Sequence, residues 1–216
     1  MIYLVGCDHI RHQTFNPKLG DLLSGQADFK SFLWNAIQDR AVDLVAEELD
    51  CEYPQRTGRE SVALSLVNEL KITRAIEHQY CDPCPSKRAE LGIGTGLPEL
   101  DDPFDPTLKQ LIRTKQEAHL HEIAHRWPIR EKFWIESLGG DIHREVIFIC
   151  GALHRITFGE RLRARGARTT VLSKFFRCKA GLLKSNICEH EFGAYRHFRR
   201  HGFPPENGCP CVASQN

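Results

Sequence analysis

The run Val146–Cys150, "VIFIC", is apolar at every position, and that constrains the fold more than any other stretch of the chain. A strand with one face in water alternates apolar and polar residues; a strand without alternation is buried on both faces. Such strands belong to parallel sheets covered by helices on each side, and parallel strands need crossover connections between them. The rest of the sequence supplies those connections. Ile2–Gly6 is a second apolar run, and Val42–Ala46 a third. Between the first two of these in chain order lies Ala27–Arg40, where Phe29, Phe32, Leu33 and Ile37 recur at helical spacing. Glu60–Leu70 carries a stripe through Val62, Leu66 and Leu70, and a short strand is expected near Ile72–Ile76.

The segment 81–106 is rich in Pro, Gly and Asp and reads as a long loop. Asp105-Pro106 then opens a helix running to about Arg126, Pro128 ends it, and a further helix is expected over Ile129–Leu138 up to Gly139-Gly140. Strand Val146–Cys150, helix Thr157–Arg165 with Gly166 as its C-cap, and strand Thr169–Leu172 complete a β-α-β unit. The fold class is therefore α/β, a mostly parallel central sheet flanked by helices over residues 1–173. A basic, Cys- and His-bearing tail over 174–216 follows.

Composition narrows the function. Lys and Arg number 29 against 28 Asp and Glu, so no global field favours nucleic acid or an anionic membrane. No apolar run reaches the roughly 20 residues that span a bilayer. The first strand is followed at once by Asp8, His9 and Arg11, the wrong order for a secretory signal, so a cytoplasmic location is expected. Nine cysteines in a reducing compartment are free thiols or metal ligands sooner than disulfides, and Cys7 and Cys150, which end apolar runs, are expected to act as small hydrophobes.

Two strands end alike, in Gly-x-x-His: Gly6 to His9 and Gly151 to His154. With 16 Gly and 11 His, about one such match is expected by chance, so the strand context carries the weight. Sites in parallel α/β sheets form beyond the carboxyl ends of strands. There the two histidines would meet Glu47-Glu48, which ends the third strand. Two imidazoles and a carboxylate suit a divalent metal such as manganese, cobalt or zinc, or general acid–base hydrolysis. The competing account gives each histidine a turn to hydrogen-bond and Glu48 a solvated strand end.

Taken together, "GCDH", "EELD", "IREKFWIESL" and "VIFICGALH" resemble the TraB/Tiki superfamily, which includes erythromycin esterase-like and ChaN-like proteins. The resemblance spans Met1–Ser173 with gaps and implies an α/β core with hydrolytic chemistry, metal-dependent in the Tiki branch and metal-free in the esterases. It matches His9 and His154 to the two motif histidines, Glu48 to the acid and Arg130 to a site-facing arginine. It thus implies His9, Glu48 and His154 as metal ligands or acid–base groups, Arg130 as a stabiliser of developing negative charge, and a small-molecule or peptide substrate.

Other readings stand beside this one. The same crevice would serve a non-catalytic binding or regulatory module. "HEIAH", His121 to His125, has the spacing of a zinc peptidase helix with Glu122 as the base. A helical projection turns His121 and His125 away from the face of Leu108, Ile112 and Ile123, so exposed, non-ligating rings are expected. Cys178, Cys188, His190, Cys209 and Cys211 are candidate zinc ligands without a paired C-x-x-C framework, which favours incidental cysteines.

Overall fold

The computed structural model describes residues 1–7, 23–93, 122–152, 154–173 and 176. The chain divides into two units. The first, Met1–Lys87 with Glu131–Leu182, carries a five-stranded sheet in which every pairing is parallel. Its elements in chain order are β1 (Ile2–Cys7), α1 (Leu23–Gln38), β2 (Leu44–Glu47), α2 (Tyr53–Thr57), α3 (Val62–Leu70) and β3 (Glu77–Tyr80). Then come α4 (Pro85–Glu90), α5 (Trp127–Leu138), β4 (Val146–Gly151), α6 (His154–Ala164) and β5 (Thr169–Ser173). In the second unit, Arg88–Arg130 with Leu183–Asn216, the described residues are the last turn of α4, the turn to buried Ile93, a π-helical stretch Glu122–Arg126 and the start of α5. No helix among the described residues is long and apolar enough to cross a membrane.

The strand order is β3-β2-β4-β1-β5. Crossovers between parallel strands are right-handed almost without exception, so connections running in opposite directions along the sheet must use opposite faces. The two apolar layers show this. On one face α1 and α3 pack Phe29, Leu33, Ile37, Leu66 and Leu70 onto Val5, Val45, Ile147 and Ile149. On the other, Trp134, Ile135 and Leu138 of α5 and Phe158 and Leu162 of α6 cover Leu4, Leu44, Ala46, Val146 and Phe148. The central strand β4 is buried on both faces from Val146 through Cys150, as its unbroken apolar run requires. Cys7 and Cys150 are both buried, and burial pushes the Cys150 thiol well up.

Several element boundaries differ from the sequence expectation for local physical reasons. The third strand is the polar "EHQY" of β3 rather than Ile72–Ile76; Ile72 is 85% exposed in the turn after α3, and Ile76 is buried just before the strand. β3 lies at the sheet edge, where polar residues are tolerated, which hides it from an apolar-run search. The loop expected from Cys81 contains α4, and a short helix, α2, follows β2. Pro128 does not end a helix. The π-helical stretch Glu122–Arg126 runs straight into α5, and Pro128 lies at the junction, two residues after that stretch ends. Helix α6 starts at His154, three residues before the expected Thr157, while Gly166 takes the expected left-handed conformation at φ 83°. The long expected helix before Arg126 and the 174–216 tail lie outside the described residues, apart from Glu122–Arg126 and Phe176.

The two-layer core assignment predicts a contrast measurable by urea unfolding. Phe158→Ala should lower the unfolding free energy by about 3–5 kcal/mol, and Ile72→Ser should change it by less than about 0.5 kcal/mol. A cost at Ile72 as large as that at Phe158 would place Ile72 in a strand core.

Candidate functional site

Strand β2 leads outward to β3, while β4 leads through α6 to β5 in the opposite direction, so the connections leaving the carboxyl ends of these two adjacent strands diverge. This is the place where parallel α/β sheets open a crevice. β1 and β4 are neighbours in register, Gly6 opposite Cys150 and Cys7 opposite Gly151, so the two strands of the Gly-x-x-His motifs end at the same edge. His9 itself lies outside the described residues.

Glu47 and Glu48 leave β2 on opposite faces because successive strand residues alternate. Glu48 turns to the α5/α6 side. Its Oε2 accepts the Gly151 backbone N–H at 2.7 Å, and its Oε1 faces His154 Nε2 at 3.6 Å, an ion-pair separation longer than a hydrogen bond. The other ring nitrogen, Nδ1, is 2.9 Å from Glu131 Oε1. Glu131 is completely buried and further anchored: the Thr157 hydroxyl donates to Oε1 and Arg161 Nε to Oε2 at 2.8 Å. Trp134 packs edge-on to the imidazole, ring centroids 4.9 Å apart, and donates its indole N–H to Asp82 at 2.8 Å. His154 is therefore not on a solvated turn. It is 5% exposed, in the first turn of α6, gripped between two carboxylates from β2 and α5.

Of the sequence candidates, the structure thus brings Glu48 and His154 together. Arg130 is partly buried on α5 in the second unit, one residue before the unit that holds the site. Glu131 and Asp82 were not anticipated. Glu131 did leave a signal: with Trp134, Ile135 and Leu138 it forms an i, i+3, i+4, i+7 stripe, and a single acid on an otherwise apolar helix face needs a buried partner. Glu48 and His154 could supply an oxygen and a nitrogen to a divalent ion. They are two of the three ligands that the family resemblance implies. Among the described residues no three His, Cys, Asp or Glu side chains are grouped to hold a metal. In "HEIAH", His125 is exposed on the π-helical stretch, as expected, and His121 lies outside the described residues. So do Cys178, Cys188, His190, Cys209 and Cys211.

A second polar cluster occupies the opposite face. Glu47, fully buried, receives the Ser61 hydroxyl and pairs with His78 Nε2 at 2.6 Å; Ser61 also caps α3 by accepting the Leu64 N–H at 3.0 Å. Tyr80 packs edge-on against His78, and its hydroxyl is shielded from water with no hydrogen-bond partner among the described residues. Burial first, and the neighbouring Glu47 carboxylate second, push the Tyr80 phenol up to about 12, a rise that nearby Ser61 only tempers.

Comparison with known proteins returns no matching family model, no similar curated protein and no similar solved structure.

The Tyr80 environment carries a signed prediction. An unfolded tyrosine ionises near pH 10, whereas native Tyr80 stays protonated to about 12. Its preference for the neutral form therefore leaves stability intact below pH 10 and lowers it as pH rises from 10 through 12. Urea unfolding of Tyr80→Phe should show a shallower alkaline loss than wild type. At neutral pH its stability should be equal or higher by up to about 1 kcal/mol, since an unsatisfied buried hydroxyl is removed. Identical alkaline profiles would contradict this.

Proposed function

We propose that the chain is a hydrolase of an ester or amide bond in a small-molecule or peptide substrate, with His154 and Glu48 as the proton-handling pair. The observation that carries the reading is the imidazole held between Glu131 on Nδ1 and Glu48 on Nε2 where the connections leaving β2 and β4 diverge. A ring fixed on one nitrogen by an anchored carboxylate has the arrangement of an oriented general base. Its other nitrogen would accept a proton from an attacking water and return it to the leaving group, with Glu48 beside the same proton. The TraB/Tiki resemblance supports the same chemistry. In the metal-dependent form, Glu48, His154 and His9 would hold a divalent ion that lowers the pKa of a bound water.

Purified protein assayed on p-nitrophenyl esters, a lactone and chromogenic peptide amides, with chelator or added manganese, cobalt or zinc, tests this. Turnover is expected in wild type, with a loss of roughly 10²–10⁴-fold in His154→Gln and at least about 10²-fold in Glu48→Gln. Undiminished turnover in folded His154→Gln, or none in folded wild type across the panel, would sink the hydrolase reading and leave a binding module.

A further inference from the structure

We infer that Glu131 is a positioning residue that sets the tautomer of His154, an inference that rests on the hydrolase reading for its consequence but not for its geometry. Glu131 Oε1 takes the Thr157 hydroxyl and Oε2 takes Arg161 Nε at 2.8 Å, so the carboxylate is fixed at both oxygens before it meets the ring. A carboxylate paired with an arginine offers acceptors only. At 2.9 Å from Oε1, His154 Nδ1 is therefore the nitrogen that carries hydrogen. That leaves Nε2, 3.6 Å from Glu48 Oε1, as the atom that exchanges a proton. Trp134, edge-on at 4.9 Å and tied to Asp82 through its indole N–H, blocks the ring from rotating out of this alignment.

During turnover the Nδ1 hydrogen stays on the ring, shared with Glu131. Nε2 gains one proton from water as the hydroxide oxygen bonds to the acyl carbon, and gives that proton to the departing alcohol or amine. Nothing is oxidised or reduced. Glu131→Gln keeps the size of the side chain. Its carbonyl is the better partner for Arg161 and takes the place of Oε2, so its amide NH₂ takes the place of Oε1, facing Nδ1 and the Thr157 hydroxyl, which can accept from it. Nδ1 must then become an acceptor, and the hydrogen moves to Nε2, the wrong atom for a base.

The test is ¹⁵N NMR of the histidine rings, with the His154 signals assigned by their loss in His154→Gln, alongside kinetics on any substrate found. Wild type should show the Nδ1–H form and Glu131→Gln the Nε2–H form. In the variant kcat should drop by about 10³-fold, with KM within about threefold. Arg161→Gln, which keeps the acceptor, should retain the Nδ1–H form. It also serves with wild type if Glu131→Gln does not fold. A wild-type ring with hydrogen on Nε2, or a Glu131→Gln ring still carrying it on Nδ1, overturns the inference. If the tautomer switches as expected but no substrate is turned over, the positioning role stands and the hydrolase reading falls.

Discussion

The hydrogen bond from the Gly151 amide to Glu48 is the contact on which the rest of the site depends. β2 and β4 pair in parallel up to Glu47 and Ile149, and the Glu48 N–H still reaches the Ile149 carbonyl at 2.8 Å. There the ladder between β2 and β4 ends, and a strand end would normally give its amides to water. Glu48 instead bridges the two strands with its side chain. Its carboxylate is thereby aimed at the first turn of α6, where His154 lies. The alternation of β2 does the rest: one residue earlier, Glu47 points to the other face and is absorbed by Ser61 and His78.

Magnitudes argue that the Glu48–His154–Glu131 cluster is not there for stability. Each charge taken from water costs several kcal/mol even after relaxation. A hydrogen bond to a charged group returns about 1.5–3 kcal/mol. Two buried carboxylates around one imidazole therefore do little better than break even, whereas apolar side chains of similar size would avoid that cost. Buried polar groups arranged this way are common where preorganisation matters more than folding free energy. Glu131 fits that description best, since three separate side chains hold it in one orientation.

Much of this was legible in the chain itself. The doubly buried β4, the alternation of strands and helices, and the approach of the Glu47-Glu48 strand end to His154 follow from apolar runs and from where parallel sheets place their sites, while the choice of Glu48 over Glu47 came only with the TraB/Tiki resemblance. What escaped did so for definable reasons. β3 is a polar edge strand, so hydropathy pointed to the exposed Ile72 instead. Pro128 reads as a stop in sequence but sits where a π-helical stretch passes into α5. Glu131 and Asp82 act through tertiary contacts from elements distant in sequence, the Trp134 indole meeting Asp82 from 52 residues away. No local pattern encodes such a contact, although a lone acid on the apolar stripe of α5 marked where to look.

The central claim is that Glu48 ties the carboxyl ends of β2 and β4 and so preforms the site. Amide hydrogen exchange at Gly151, read relative to Ile149 in the same strand, measures this directly. In wild type the two amides should exchange at similar, slow rates, both opening only with the sheet. In Glu48→Ala the Gly151 amide should speed up by about 10–100-fold relative to Ile149, the loss of a charged acceptor. A Gly151 amide that exchanges quickly in wild type, or whose ratio to Ile149 does not change in Glu48→Ala, would contradict a preformed site.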